Sequence, residues 1–260
     1  MKNLMLKFVS AIFVLAFCSA GIFAQGGDAA SNDSPEAAEG LDLYAVAELL
    51  KDSENLEKFE QQLNDPEKGV NNLDLNEDDA VDFIRVTEQV EGDTHLVVLQ
   101  TALGDNDFQD VATIAFEKES GENYNLQVQG DASIYGENYY VVPAGSNFNA
   151  WNVVRWIFRP NYRPYVSAYG YRSLPRWWKN RRPVTVNVYR ARANVLVGRR
   201  NFVASRTVRV KTVGKVNYRP RTSTLVTRRT KVTRTTRITG NNRNNQQTTT
   251  KTKIVKRKRN

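Results

Sequence analysis

Apolar and polar positions recur with two different periods along this chain, and the change falls near residue 81. Before it, Leu43, Val46, Leu49 and Leu50 recur at helical spacing, as do Leu56, Phe59 and Leu63. Such stripes line one face of a helix. Two short helices are therefore predicted between residues 41 and 63, with Asp52-Ser53 interrupting them and capping the second. Asn64-Asp65-Pro66 ends it. From Val81 the period is two, and strands are predicted at 81–90, 95–103, 111–118, 124–129, 132–135 and 139–142. The intervening turns carry Gly92, Gly104-Asp105-Asn106-Asp107, Gly121 and Gly136-Glu137-Asn138, residues suited to hairpins. Residues 95–103 are apolar on both faces, as a central strand is. Tyr124, Leu126 and Val128 alternate with Asn125, Gln127 and Gln129, which predicts one wet face. The expected fold over 41–143 is α+β, two short N-terminal helices packed on an antiparallel β-meander.

Charge divides the chain more sharply than hydrophobicity does. All 28 acidic residues lie between Asp28 and Glu137, whereas residues 151–260 contain 30 Lys and Arg and no acid. Residues 144–214, rich in Arg, Pro, Trp and Tyr, are expected to be partly ordered. Residues 215–260 are Thr, Arg, Lys and Asn almost throughout and are expected to form a disordered basic tail. At the other end, Lys2 and Lys7 flank an apolar run from Phe8 to Phe17, with Ala20 and Ala24 as small cleavage-site residues. Residues 1–24 read as a secretory signal, followed by a flexible acidic linker over 25–40. Export to the periplasm, outer-membrane surface or extracellular space is the expectation, with no transmembrane helix once the signal is removed. The single Cys18 lies in that signal, so the mature chain has no disulfide and no Cys-based metal site.

Two sets of residues carry candidate chemistry. Asp74, Asn76, Asp78 and Asp82 stand at positions 1, 3, 5 and 9 of a loop, with the carbonyl of Ala80 at position 7, a spacing that suits a hard cation such as calcium. The pattern resembles the D-x-[DN]-x-D-G-x-x-D loops of integrin-type propeller repeats. That resemblance implies the same five residues as calcium ligands, although Asp79 stands where those loops have Gly. The bland alternative is an Asx-rich turn. The second set is Arg155, Arg159, Arg163, Arg172, Arg176, Trp177, Trp178, Arg181 and Arg182. Guanidinium groups interleaved with rings suit anionic partners, because charge tracks phosphate or carboxylate and rings stack. No catalytic constellation is read: no G-x-S-x-G surrounds any Ser, and His95 is the sole histidine.

Three stretches, GLDLYAVAELLKDSENLEKFEQQLND, NNLDLNEDDAVDFIRV and THLVVLQTALGDNDFQDVATIAFEK, resemble a family of exported bacterial proteins of undetermined function from the Bacteroides–Flavobacterium group. The resemblance covers about 40–143 plus the aromatic, basic character beyond, implies export, and supplies no catalytic residues. The expected function is non-enzymatic binding or envelope association, the basic tail contacting an anionic envelope surface or acidic glycan. The alternatives are a periplasmic enzyme or enzyme inhibitor using the sheet face, nucleic-acid binding through the tail, and a tail that neutralises its own acidic domain.

Overall fold

The computed structural model describes residues 40–121, 123–145, 148–197 and 201–226, and the strands Lys231–Arg234 and Lys251–Ile254. Two helices come first, α1 (Leu43–Lys51) and α2 (Leu56–Leu63). The Asp42 carboxylate accepts from the Tyr44 and Ala45 amides at 2.8 and 3.3 Å and caps α1. The cap of α2 is Asn55, accepting from Lys58 N at 2.8 Å. The expected cap at Asp52-Ser53 is thus displaced: Asp52 closes α1, and the Ser53 hydroxyl donates back to Leu49 O at 2.7 Å.

The sheet follows as a meander of β1 (Ile84–Glu91), β2 (Thr94–Gly104), β3 (Asp107–Lys118), β4 (Tyr124–Gly130) and β5 (Tyr140–Pro143), all antiparallel. The β1–β2 turn places Gly92 at φ 57°, a left-handed conformation that costs glycine nothing. In the β2–β3 turn Asn106 takes φ 58°, which its short polar side chain tolerates. β2 lies between β1 and β3 and is buried nearly throughout. One expected strand is a helix: Ala132–Tyr135, here α3, is capped by the Asp131 side chain. Packing explains the choice. The Tyr135 ring lies over Gly130, where an added Cβ would stand 2.5 Å from it, and the hydroxyl reaches Leu41 O at 2.7 Å.

The larger correction concerns the chain beyond Pro143, which continues the same fold. Helix α4 (Asn152–Ile157) buries Val153, Val154 and Ile157, and α5 (Val186–Val197) buries Tyr189 and Ala193. These residues share one buried cluster with Leu50, Phe59 and Leu63 of the first helices and with Val97, Ile114 and Val128 of the sheet. Strand β6 (Phe202–Ser205) pairs antiparallel with β5 and extends the sheet to six strands. At the other edge Tyr165 O accepts from Glu88 N at 2.8 Å and Ser167 N donates to Val86 O at 2.9 Å, so a short extended segment covers β1. All the described residues belong to one compact unit.

The second face of the sheet is covered as well. Val210 and Val216 bury Leu96 and Ala115, and a 3-10 helix (Lys211–Lys215) lies between the two valines. Gln127, expected on a wet face, is 1 % exposed because its amide oxygen accepts from Arg209 N at 2.7 Å. Part of the expected disordered tail is likewise engaged: Arg221 N and the Tyr218 hydroxyl both donate to Asp110 at 2.8 Å. Further on, Lys231–Arg234 (β7) pairs antiparallel with Lys251–Ile254 (β8), as their Thr, Val and Ile content allows. The rest of the expected tail, the signal and residues 25–39 of the expected linker lie outside the described residues. Among the described residues no helix is long and apolar enough to cross a membrane.

Tyr189 ties the two halves together. Its hydroxyl accepts from Asp42 N at 2.5 Å and donates to Val70 O at 3.0 Å, and the residue is 1 % exposed. Tyr189→Phe leaves a buried donor and a buried acceptor unpaired, which costs about 1–3 kcal/mol. Urea unfolding of the full chain should show the loss; an unchanged midpoint would mean that these bonds do not hold α5 against the acidic half.

Candidate functional site

The Asp-rich loop is a closed set of side-chain-to-backbone hydrogen bonds. Asp74 accepts from Asp78 N at 3.0 Å and Asp79 N at 3.1 Å. Asp78 accepts from Ala80 N at 2.9 Å, and Asp82 from Leu75 N at 2.7 Å. These bonds hold Glu77 and Asp79 at φ 58° and 64°. The loop is also tied to the basic half through main-chain groups: Val81 N donates to Arg181 O at 2.8 Å, and Val184 N to the Asn72 side chain at 2.8 Å. The first strand begins at Ile84, three residues later than the sequence predicts.

The expected calcium ligands are here engaged with the loop's own amides. The Asn76 amide nitrogen donates to Asp78 Oδ2 at 3.0 Å, and its Oδ1 accepts from Asp78 N at 3.3 Å. Among the described residues, no group of three His, Cys, Asp or Glu is placed to hold a metal. Burial pushes the Asp82 carboxyl up to about 7; Leu75 N–H opposes the shift, and the charges of Asp74 and Asp78 add to it. The loop as built is an Asx turn.

The arginine set divides into outward and inward members. Arg155, Arg159, Arg163, Arg172, Arg176 and Arg182 are exposed. Arg159 stacks over the rings of Trp156 and Tyr162, at 4.9 and 5.7 Å, and Arg172 pairs with Asp105 at 3.1 Å, both partners exposed. Arg181 instead turns in. It lies over Trp178 at 4.7 Å, donates to Asn71 O at 3.1 Å, and has a buried Nη1 with no partner. Burial lowers its pKa below the usual guanidinium value, with Asp65 opposing. Trp178 meets Phe83 edge-on at 5.2 Å, while Trp177 keeps 38 % of its surface in solvent. The set expected to act as one surface therefore supplies exposed cations and one exposed ring, and uses Arg181 and Trp178 to brace the Asp loop.

The sequence reading missed several polar residues. Glu88 is 5 % exposed, lies 2.7 Å from His95 Nδ1, and accepts from the Tyr162 hydroxyl and, at 2.8 Å, from Tyr165 N. Phe158 closes over His95 at 4.7 Å, so this cluster is a satisfied polar knot beneath aromatic rings. A shallow cleft of about 230 Å³ is lined by Glu57, Glu60, Gln61, Tyr169 and Trp177. A second, of about 260 Å³, lies on the other face of the sheet and takes in Arg85, Arg219 and Arg221. Alternation along β1 marks Glu88 as an inward acid, but nothing in the linear order brings Arg85 to Arg221.

No protein-family model, curated protein or solved structure matches this chain.

Two measurements bear on these groups. Melting of the full chain should be indifferent to millimolar calcium against chelator if the Asx turn is the whole role of the loop. A rise abolished by Asp78→Ala would restore the ion site. Glu60, 1 % exposed, is pushed up from 4.5 to about 7 by burial; hydrogen bonds from Val86 N, Ser167 and Tyr165 and the charge of Arg85 pull it down. The folded state thus holds this proton more tightly than the unfolded state. Its contribution to stability is complete below 4.5 and is lost as pH rises through about 7. Glu60→Gln should flatten the fall in urea midpoint across that window; an equally steep fall would assign the slope elsewhere.

Proposed function

We propose that this protein is an exported, non-enzymatic binding protein whose arginine-rich half holds an anionic envelope surface or an acidic glycan. The observation that carries this reading is how the two charged halves meet. Between the two halves Arg172 pairs with Asp105 at 3.1 Å, and both partners are exposed. The acids facing the basic half are occupied by backbone amides and hydroxyls, as at Asp110 and Glu88. Arg155, Arg159, Arg163, Arg176 and Arg182 are exposed, and exposed Tyr171, Leu174 and Trp177 stand among them. Cations interleaved with apolar and aromatic groups suit a charged surface or a sugar chain with acid groups. Both clefts fall below the roughly 300 Å³ at which small-molecule sites begin, which favours surface recognition over catalysis. Export rests on the N-terminal pattern and on the family resemblance.

The test uses the full mature chain. Co-sedimentation with anionic lipid vesicles and retention on an acidic polysaccharide, each over a range of salt, should show binding to one of them that weakens steeply with ionic strength. The triple variant Arg159→Glu, Arg163→Glu, Arg176→Glu should lose that binding and keep its far-ultraviolet circular dichroism. Binding that ignores salt, or that survives the triple variant, would overturn the assignment. Preference for DNA over both probes would move it to nucleic acid. Mass spectrometry of the secreted chain should find an N-terminus near Gly21 or Gln25, and an intact Met1 in the cytoplasm would sink the export claim.

A further inference from the structure

The cleft on the second sheet face has the makings of a discrete anion site, separate from the arginine-rich segment above. Its floor is the β1–β2 face, with Arg85, Thr87, Gln89 and Gln100, and the segment around Arg219 and Arg221 forms a wall. Arg85 and Arg221 both lie over the ring of Phe108, their guanidinium carbons 5.1 and 5.2 Å from its centre. Two cations are thus held against one ring. Burial lowers the pKa of Arg85, and the charge of Arg221 adds to that effect, while Glu60 opposes it. Arg85 Nη2 donates to Ser167 O at 3.1 Å, but Arg85 Nε is buried and has no partner.

The acids bordering the cleft do not answer these cations. Asp110 Oδ1 accepts from Gln100 Nε2 at 2.5 Å, and Oδ2 accepts from both the Tyr218 hydroxyl and Arg221 N at 2.8 Å. Glu88 is taken up by His95, Tyr162 and Tyr165. Among the described residues, no carboxylate lies within ion-pair distance of Arg85, Arg219 or Arg221. Arg85 is half-buried with an unpaired Nε–H and no counter-charge, which is costly, and an anion delivered from solution relieves that cost; Arg219 and Arg221 stand exposed at the rim and add their charge. The guanidinium N–H groups match the several acceptor oxygens of a tetrahedral oxyanion. A space of about 260 Å³ has room for such a group with its hydration.

We propose that the cleft between the β1–β2 face and the Arg219–Arg221 wall binds a single tetrahedral oxyanion, phosphate or sulfate, through Arg85, Arg219 and Arg221. None of these arginines belongs to the exposed 155–182 set, so the site stands or falls independently of the surface-binding reading.

Calorimetric titration of the full mature chain with inorganic phosphate, and separately with inorganic sulfate, tests it at ionic strength held constant with sodium chloride. Saturable binding of one ion per chain is expected for at least one of the two, and the ratio between them tells which anion the site prefers. Arg221→Gln keeps the main-chain bonds to Asp110, and Arg219→Gln alters an exposed side chain. Each should weaken binding about tenfold or more with an unchanged urea midpoint, while Arg163→Gln should bind as the wild type does. Absence of saturable heat with both ions, or binding unaffected by either substitution, would refute the site.

Discussion

An open antiparallel sheet has two edges of unpaired amides and carbonyls and two faces to keep from water. Residues 41–143 cannot meet that demand alone, since their helices share a core with one face only. The chain after Pro143 supplies what is missing. Residues 165–167 cover the β1 edge, β6 pairs with β5, and residues 209–221 bury Leu96 and Ala115 on the second face. The basic half is therefore structural from Val153 to at least Ser223, whose amide donates to the Gln109 side chain at 3.1 Å. Most of its contacts are made by main-chain groups, hydroxyls and apolar side chains, with Arg181 on Asn71 O and the exposed Arg172–Asp105 pair among the charged ones. The steep change of charge near residue 150 is thus a change of surface and not a domain boundary.

Much of the fold was legible because it is written in local periodicity. The helical stripes at Leu43–Leu50 and Leu56–Leu63 and the alternation along β1 to β4 each report a buried face directly. What could not be read depends on distant partners. ASIY alternates well enough for a strand, and only the bare Cα of Gly130 beneath Tyr135 and the cap from Asp131 make it a helix. FVAS in β6 is four residues long and finds its place only beside β5, some sixty residues earlier. Gln127 looked wet because the amide it receives belongs to Arg209.

The same division runs through the functional residues. The Asp74–Asp82 spacing was legible as a turn stapled by its own carboxylates, but spacing alone cannot say whether those oxygens face a cation or the loop's amides. Here they face the amides, and Asn76 Oδ1 likewise accepts from Asp78 N. Exposure of Arg159, Arg163 and Arg176 followed from composition, since so many cations without one acid have no interior to enter. The inward turn of Arg181 did not follow, because it requires Trp178 beneath the guanidinium and Asn71 O beyond it. The Arg85–Arg221 cleft lay beyond reach for the same reason: it unites the first strand with a segment well over a hundred residues later.

One consequence links stability to recognition. Buried main-chain bonds and apolar contacts are only weakly screened by salt, whereas exposed charges interact little beyond about 8 Å at physiological ionic strength. Because the halves are joined mainly by the first kind of contact, salt that screens the exposed arginines leaves the fold in place. A protein whose acidic half was held by ion pairs to its basic half would face a competition, each bound anion prising the two apart. Here the acids are occupied by neutral donors, as Asp110 is by Gln100, Tyr218 and the Arg221 amide. The exposed arginines can therefore meet the anionic partner proposed above without unfolding their own support.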